Sequence, residues 1–597
     1  MLKKYFYPIA ISVLLVIMFG LMFFSARGDS MIVDEDAHIP AGFSYVTTGD
    51  YRLNPEHPPL IKDLAALPLV LTGQKFDYDY WRSNADGKAV NNQWEMGWDF
   101  IYRSGNNADD LILLARIPMM LVSLIFGFFV FMWAKELYGK KAGLFALILF
   151  VFNTNIIAHS RYVTTDLGVS FAFFLSMFLT YRYIKKPNWK TLLWAGVGFG
   201  IVLITKFSAV VLAPTYFIVW VMLILRKSKD KKEGMLERIY DSSWINRAVS
   251  GFLAFLTIVG IGVLLMWLFY IPHTMNMPAG VQKDLIAESL PGDLGIAKTA
   301  RGVLMSMSDN VITRPLSQWL LGFSMVAFHV EGGHDSFLLG QVSNQGWWYY
   351  YPVTIFLKTQ LALFGLVGLA FILRKKFKEK DWFTEVYLWV LPVTLLAMGM
   401  QGKLNLGIRY MLPIYAFIFV WSSRLVDFVD FKLYWEKIRE GISKSKKNIF
   451  IPTVTLLVSV LTIWYVLSAV VSFPFYLSYF NESIGGYKNG YHYLTDSNLD
   501  WGQDNKRLAE WVEDNNINQI SVDVFPGPMP AKYYLGNKMV EWHVQQGRPT
   551  GYFAISATFY QSSRAWKKAN NNMDYAWLDE LTPIKNIGGS ILVYNLK

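Results

Sequence analysis

The chain has 597 residues, is 53% hydrophobic and 16% aromatic, and carries a formal charge of +11. That length and apolar content exclude a single soluble globule, and the absence of cysteine excludes disulfides and thiolate chemistry. The positive charge is spread over short loops rather than gathered in one patch, which argues for a lipid bilayer and no nucleic acid as partner.

A span needs roughly 20 mostly apolar residues to cross a hydrocarbon core about 30 Å thick, and it must satisfy its own backbone as a helix. The first such stretch, 5–24, is expected to be a retained anchor. The sequence Phe23-Phe24-Ser25-Ala26-Arg27 after it is a poor small-residue cleavage site. Further stretches follow at 111–133, 142–158, 167–184, 192–204, 209–225, 248–270, 353–373, 386–400, 410–425 and 450–471, predicting about eleven transmembrane helices. With that count, Lys3-Lys4, Lys140-Lys141, Lys185-Lys186 and the basic loops at 226–232, 374–380 and 444–447 share one side. The positive-inside rule makes that side cytoplasmic.

The outer side then receives two large loops, 25–110 and 271–352, and everything after Ser472. Within the first, 60–71 is apolar but too short to span, and is expected to lie along the interface. The second is rich in aromatic residues, among them Trp319, Trp347, Trp348 and Tyr349-Tyr350-Tyr351, which suit either an interfacial girdle or a lipid or sugar platform. Residues 1–472 are read as the transmembrane domain and 473–597 as a small soluble α/β domain. A helix is predicted there at 504–513, strands at 520–525, 551–556 and 590–594, and a turn at Pro526-Gly527-Pro528.

Three groups of residues could carry chemistry. Asp34-Glu35-Asp36-Ala37-His38 follows the first span, and Glu56-His57-Pro58-Pro59-Leu60-Ile61-Lys62 comes soon after. Three consecutive acids there fit a solvated turn, or a carboxylate serving as a general base. His159 to Asp166 places Arg161 and a further carboxylate at the outer mouth of the third and fourth spans. Asp166 could instead cap a helix. Lys206, Lys403 and Arg409 are cations on the outer side, against the orientation bias; they either snorkel to the interface or bind a phosphate in the outer leaflet. No cofactor is required by the pattern. A divalent metal near His38, Glu56 and His57 stays open, although no tight ligand spacing such as His-x-x-x-His occurs. No Walker loop, dinucleotide fingerprint or nucleophile elbow is present.

These residues, in this order and on this side, resemble the GT-C superfamily of membrane glycosyltransferases, in particular the protein O-mannosyltransferases and the bacterial aminoarabinose and lipopolysaccharide sugar transferases. The resemblance rests on Asp34-Glu35, Gly49-Asp50, Glu56 to Leu60, Arg161 to Asp166, Thr205-Lys206 and Arg409-Tyr410. The block from Asp496 to Asp504 is similar to a bacterial branch of that group. The resemblance implies inverting transfer of a sugar from a polyprenyl-phosphate-linked donor to an extracytoplasmic acceptor. Asp34 would be the base or the residue orienting the acceptor, with Glu35 and Asp166 beside it as catalytic carboxylates. Glu56, His57, Lys62, Arg161, Lys206 and Arg409 would bind the donor phosphate or substrate. The chain departs from the aminoarabinose transferases at Ala37 and His57, which leaves the donor sugar open. The rival reading is a transporter or flippase for lipid-linked or small polar substrates, which would place its ionisable groups at mid-membrane. A structural scaffold for envelope assembly would need neither the acids nor the cations.

Overall fold

The computed structural model describes residues 2–83, 90–226, 243–291, 295–377, 381–440 and 450–596. The chain begins with the helix α1 (Leu2–Ala26), then α2 (Val33–Thr48) and α3 (Leu60–Leu71). Six helices follow: α4 (Ala108–Tyr138), α5 (Lys140–Val151), α6 (Thr165–Lys185), α7 (Trp189–Leu203), α8 (Leu212–Leu225) and α9 (Trp244–Thr274). The outer region after α9 holds a two-stranded hairpin, β1 (Ser336–Leu338) with β2 (Gln341–Ser343). The membrane part closes with α10 (Tyr350–Lys358), α11 (Leu361–Leu373), α12 (Trp382–Gln401), α13 (Leu412–Ser422) and α14 (Phe450–Val471).

Among the described residues, eight helices are long and apolar enough to cross a membrane. The pair α10–α11, bent by 107°, makes a ninth if it counts as one span. The difference from the expected eleven lies in two short elements, the 12-residue α5 and the 15-residue α7. At 1.5 Å per residue, neither reaches across about 30 Å of hydrocarbon alone. Both occur where the sequence places a span; hydropathy overstated the length of α5, expected at 142–158, while α7 is two residues longer than the expected 192–204 and still too short. The expected interfacial stretch is α3, with the same bounds, and it packs on α2 and α4. Gly42 makes the α2–α3 approach possible: a Cβ there would lie 2.1 Å from the Lys62 carbonyl oxygen. The basic loops at 227–232, 378–380 and 444–447 lie outside the described residues.

After α14 come the helix α15 (Asn505–Asp514) and a five-stranded sheet of order β4-β3-β5-β7-β6. Its strands are β3 (Ile520–Asp523), β4 (Met539–Glu541), β5 (Gly551–Ser556), β6 (Lys585–Ile587) and β7 (Ile591–Leu596). β4, β3 and β5 run parallel, while β7 and β6 add antiparallel. The expected helix and three strands appear within a few residues of their predicted bounds, as their clean periodicity allows. The intervening segment behaves differently. Leu477, Phe480, Leu494, Leu499 and Trp501 are buried in the core of the membrane helices, not in the core beneath the sheet. This wedge joins the sheet to the membrane part and determines the geometry of the site.

Candidate active site

Asp34 and Glu35 stand in the first turn of α2, where the helix dipole favours carboxylates. Successive residues on a helix point about 100° apart, so the two acids serve different partners. Asp34 Oδ2 meets Arg409 Nη1 at 2.7 Å. Glu35 turns inward, is fully buried and pairs with Arg116 at 2.8 and 2.7 Å. It also accepts the backbone N–H groups of Ile32 at 3.0 Å and Val163 at 3.1 Å. A carboxylate with four donors around it is saturated, so Glu35 anchors the start of α2. Glu35→Gln is therefore expected to lower the thermal midpoint of the detergent-purified protein. Breaking a buried ion pair costs about 3–5 kcal/mol. A midpoint equal to wild type would overturn that anchoring role.

Asp166 occupies the first turn of α6, but its side chain does not cap the helix; the N-cap is Thr164, without a side-chain cap bond. Its Oδ1 accepts from Lys206 Nζ at 2.5 Å, and its Oδ2 lies 3.7 Å from Arg409 Nη1. Asp34, Arg409, Asp166 and Lys206 thus form one continuous network drawn from four distant parts of the sequence. Lys206 is 8% exposed and does not snorkel. Burial disfavours its charge, but Asp166 and Tyr410 together hold the ammonium above its ordinary pKa. Lys403, by contrast, is solvent-facing and donates only to the Glu331 carbonyl, at 3.3 Å.

Arg161 is buried elsewhere, in a second layer. It pairs with Asp29 at 2.7 Å, which also meets Arg507 at 2.6 Å and accepts from the Tyr162 hydroxyl at 2.7 Å. Burial pushes the Asp29 carboxyl up, yet Arg161, Arg507 and Arg116 together hold it below the usual carboxylate value. Lys62 supports a third layer. Its ammonium donates to Tyr45 Oη at 2.9 Å and to the carbonyl oxygens of Asn54 at 2.8 Å and His57 at 2.7 Å, fixing the 50–58 loop from within. Burial pushes its pKa down to about 7. Glu56 accepts from Gln93 at 2.6 Å. His57 packs edge-on against His38, 5.1 Å between centroids, and burial holds both below the ordinary imidazole value, His38 at about 4. Two neutral imidazoles contribute hydrogen bonds, not charge, to an anion. Among the described residues no group of three or more His, Cys, Asp or Glu is arranged to hold a metal.

One part of the site has no counterpart among the candidate catalytic and binding residues, although the resemblance includes its block from Asp496 to Asp504. The wedge 496–505 reaches into the network from the C-terminal region and grips both of its sides. Toward Asp34, the Val33 N–H donates to the Trp501 carbonyl at 3.0 Å, and Ser30 Oγ to that of Gly502 at 2.7 Å. Toward Arg409, the Ile408 N–H donates to Asn498 Oδ1 at 2.9 Å, and the Ser497 hydroxyl donates to the Leu406 carbonyl. Gly407, at φ 109°, is the residue that permits this approach: a Cβ there would meet Asn498 at 2.9 Å. Trp501, fully buried, lies 4.5 Å from the Arg409 guanidinium, with His159 on its edge at 5.8 Å. The available signal was the dense polar run Asp496-Ser497-Asn498-Leu499-Asp500-Trp501-Gly502-Gln503-Asp504, too rich in side-chain donors and acceptors for a plain linker.

Known proteins resemble this chain to different degrees. Residues 108–236 match the family model described as dolichyl-phosphate-mannose-protein mannosyltransferase. No curated protein sequence matches significantly. Among solved structures, ArnT from Cupriavidus metallidurans bound to undecaprenyl phosphate is 9% identical, with 98% of this chain and 97% of that one covered and a TM-score of 0.47. The oligosaccharyltransferase AglB from Archaeoglobus fulgidus, in complex with an inhibitory peptide and a dolichol-phosphate, is 11% identical, with 94% and 71% covered and a TM-score of 0.47. The Saccharomyces cerevisiae protein O-mannosyltransferase Pmt1-Pmt2 complex bound to the sugar donor is 15% identical, with 45% and 33% covered and a TM-score of 0.30. The stretch matched by that family model is the one that supplies Arg116, Arg161, Asp166 and Lys206.

Proposed function

We propose that this protein transfers a sugar, with inversion, from a polyprenyl-phosphate donor to a hydroxyl of an acceptor at the outer face of the membrane. The observation that carries the reading is the Asp34–Arg409–Asp166–Lys206 network, in which two cations are held in place by two carboxylates in the first turns of α2 and α6. A sugar on a lipid phosphate already has a good leaving group, so no general acid is needed. The protein must orient the acceptor hydroxyl, hold the centres in line and offset the charge that grows on the departing phosphate. Arg409 and Lys206 meet the phosphate, the former with a fork suited to its oxygens. Asp34 hydrogen-bonds the acceptor hydroxyl. Asp166 fixes both cations so that little reorganisation is required during transfer. A transporter is less well supported, because these groups lie at helix ends rather than at mid-span.

The test combines two measurements. Mass spectrometry of envelope lipids, glycans and proteins from a strain lacking the protein is expected to show one class of glycoconjugate losing a single sugar. The purified protein is expected to transfer that sugar from a farnesyl-phosphate-linked donor to the envelope fraction of the same strain. An unchanged envelope together with no transfer rejects the reading.

Sidedness rests on the basic loops, of which Lys140-Lys141, Lys185-Lys186 and Arg374 to Lys376 lie among the described residues. A compartment-specific reporter fused after Lys597 is expected to be active only outside the cytoplasm. A cytoplasmic signal would place the network on the inner face.

A further inference from the structure

The wedge brings a carboxylate of its own. Asp496 opens the short 3-10 turn Asp496–Asn498, with φ 54°, in the left-handed region that an aspartate tolerates only with support. The support is present. Its N–H donates to Thr558 Oγ1 at 3.1 Å, and its carbonyl accepts from the N–H groups of Leu499 and Asp500, both at 2.8 Å. The next two residues, Ser497 and Asn498, are those that clamp the turn before Arg409. Asp496 and Arg409 therefore rest on one rigid support, so their relative position is fixed. The ionisable groups whose charges act on Asp496 are Arg409, Asp34 and His334. Among the described residues Asp496 forms no ion pair within 4.0 Å, unlike Asp34 and Asp166. Burial raises its pKa, against the opposing pull of Arg409 and His334.

We propose that Asp496, delivered by the C-terminal region, is the general base of the transfer, with Asp34 holding the acceptor hydroxyl in line. The inference rests on the reading of the site as a sugar transferase. The acceptor's O–H proton passes to the Asp496 carboxylate as that oxygen bonds to the sugar's anomeric carbon. The bond from that carbon to the phosphate oxygen breaks, and its electron pair leaves on the polyprenyl phosphate, whose added negative charge Arg409 and Lys206 meet. A base must be unprotonated to act. A pKa raised above the usual carboxylate value predicts an acid limb in the pH–rate profile, with activity falling as pH drops through it.

The experiment uses the full-length protein, a panel of farnesyl-phosphate-linked sugars and envelope fraction from a strain lacking the protein. Asp496→Asn is expected to lose about a hundredfold in rate. Its affinity for farnesyl phosphate should stay within about twofold of wild type, which also reports that the site is folded. Its residual activity is expected to lack the acid limb. Asp496→Glu should restore part of the rate together with the limb, and Asp34→Asn should keep the limb at a lower rate. An active wild type with Asp496→Asn at full rate and an unchanged profile overturns this role alone. The role is equally overturned if the rate falls only with the loss of farnesyl phosphate binding and Asp496→Glu restores neither. A wild-type protein that transfers none of the sugars overturns the transferase reading, and this role with it.

Discussion

Replacing Asp34 by Asn is expected to lower the transfer rate by between about a hundredfold and a thousandfold while leaving donor binding intact or tighter. Asp34 is joined to Arg409 at 2.7 Å, and its side chain is only one-fifth exposed. The amide is a weaker hydrogen-bond acceptor for the incoming hydroxyl and no longer holds the guanidinium by charge. Arg409 keeps Asp166 at 3.7 Å as a partner and loses a competitor for the donor phosphate, so affinity for farnesyl phosphate should not fall. The expected signature is a loss in turnover without a loss in donor binding. A hundredfold corresponds to about 2.7 kcal/mol of transition-state stabilisation, more than an exposed surface ion pair contributes. Near-normal turnover in this variant would remove Asp34 from the site.

Arg409 variants should show the opposite pattern in binding and a similar fall in rate. Arg409→Gln removes a cation that links Asp34 to Asp166, and it leaves Trp501 facing an uncharged amide. Donor affinity and rate are both expected to drop, the rate by about a hundredfold or more, as when one preorganised donor is removed from a site where charge develops. Arg409→Lys discriminates further. An ammonium retains the charge but cannot contact Asp34, approach Asp166 and present a fork to a phosphate at once. Most of the rate loss should persist, with donor affinity partly recovered. If Arg409→Gln and Lys206→Gln both keep wild-type rate and affinity, the phosphate is held elsewhere.

The sequence by itself determined what local pattern can encode. Long apolar runs bounded by charges placed the membrane helices, because a helix in hydrocarbon has no other way to satisfy its backbone. Strict periodicity placed α15, β3, β5 and β7 within a few residues. It also singled out Asp34, Asp166, Lys206 and Arg409, since acids and cations at helix ends are not needed to build a span. It could not tell these four from Glu35, Arg161 and Lys62, which have the same chemistry and the same general location. The tertiary structure separates them by their partners. Glu35 lies about 100° around the helix from Asp34 and faces Arg116, 81 positions away in the chain. Lys62 reaches the inside of its own loop because α3 packs against α2 at Gly42. The block 496–504 was visible in the sequence, but the contacts of the wedge were hidden for a related reason. Its hydrogen bonds join residues more than 80 positions apart at Ile408 and more than 400 apart at Ser30, and no periodicity records such contacts. Whether a charged side chain supports the fold or faces a substrate depends on which partners saturate it. In this protein those partners come from the far ends of the chain.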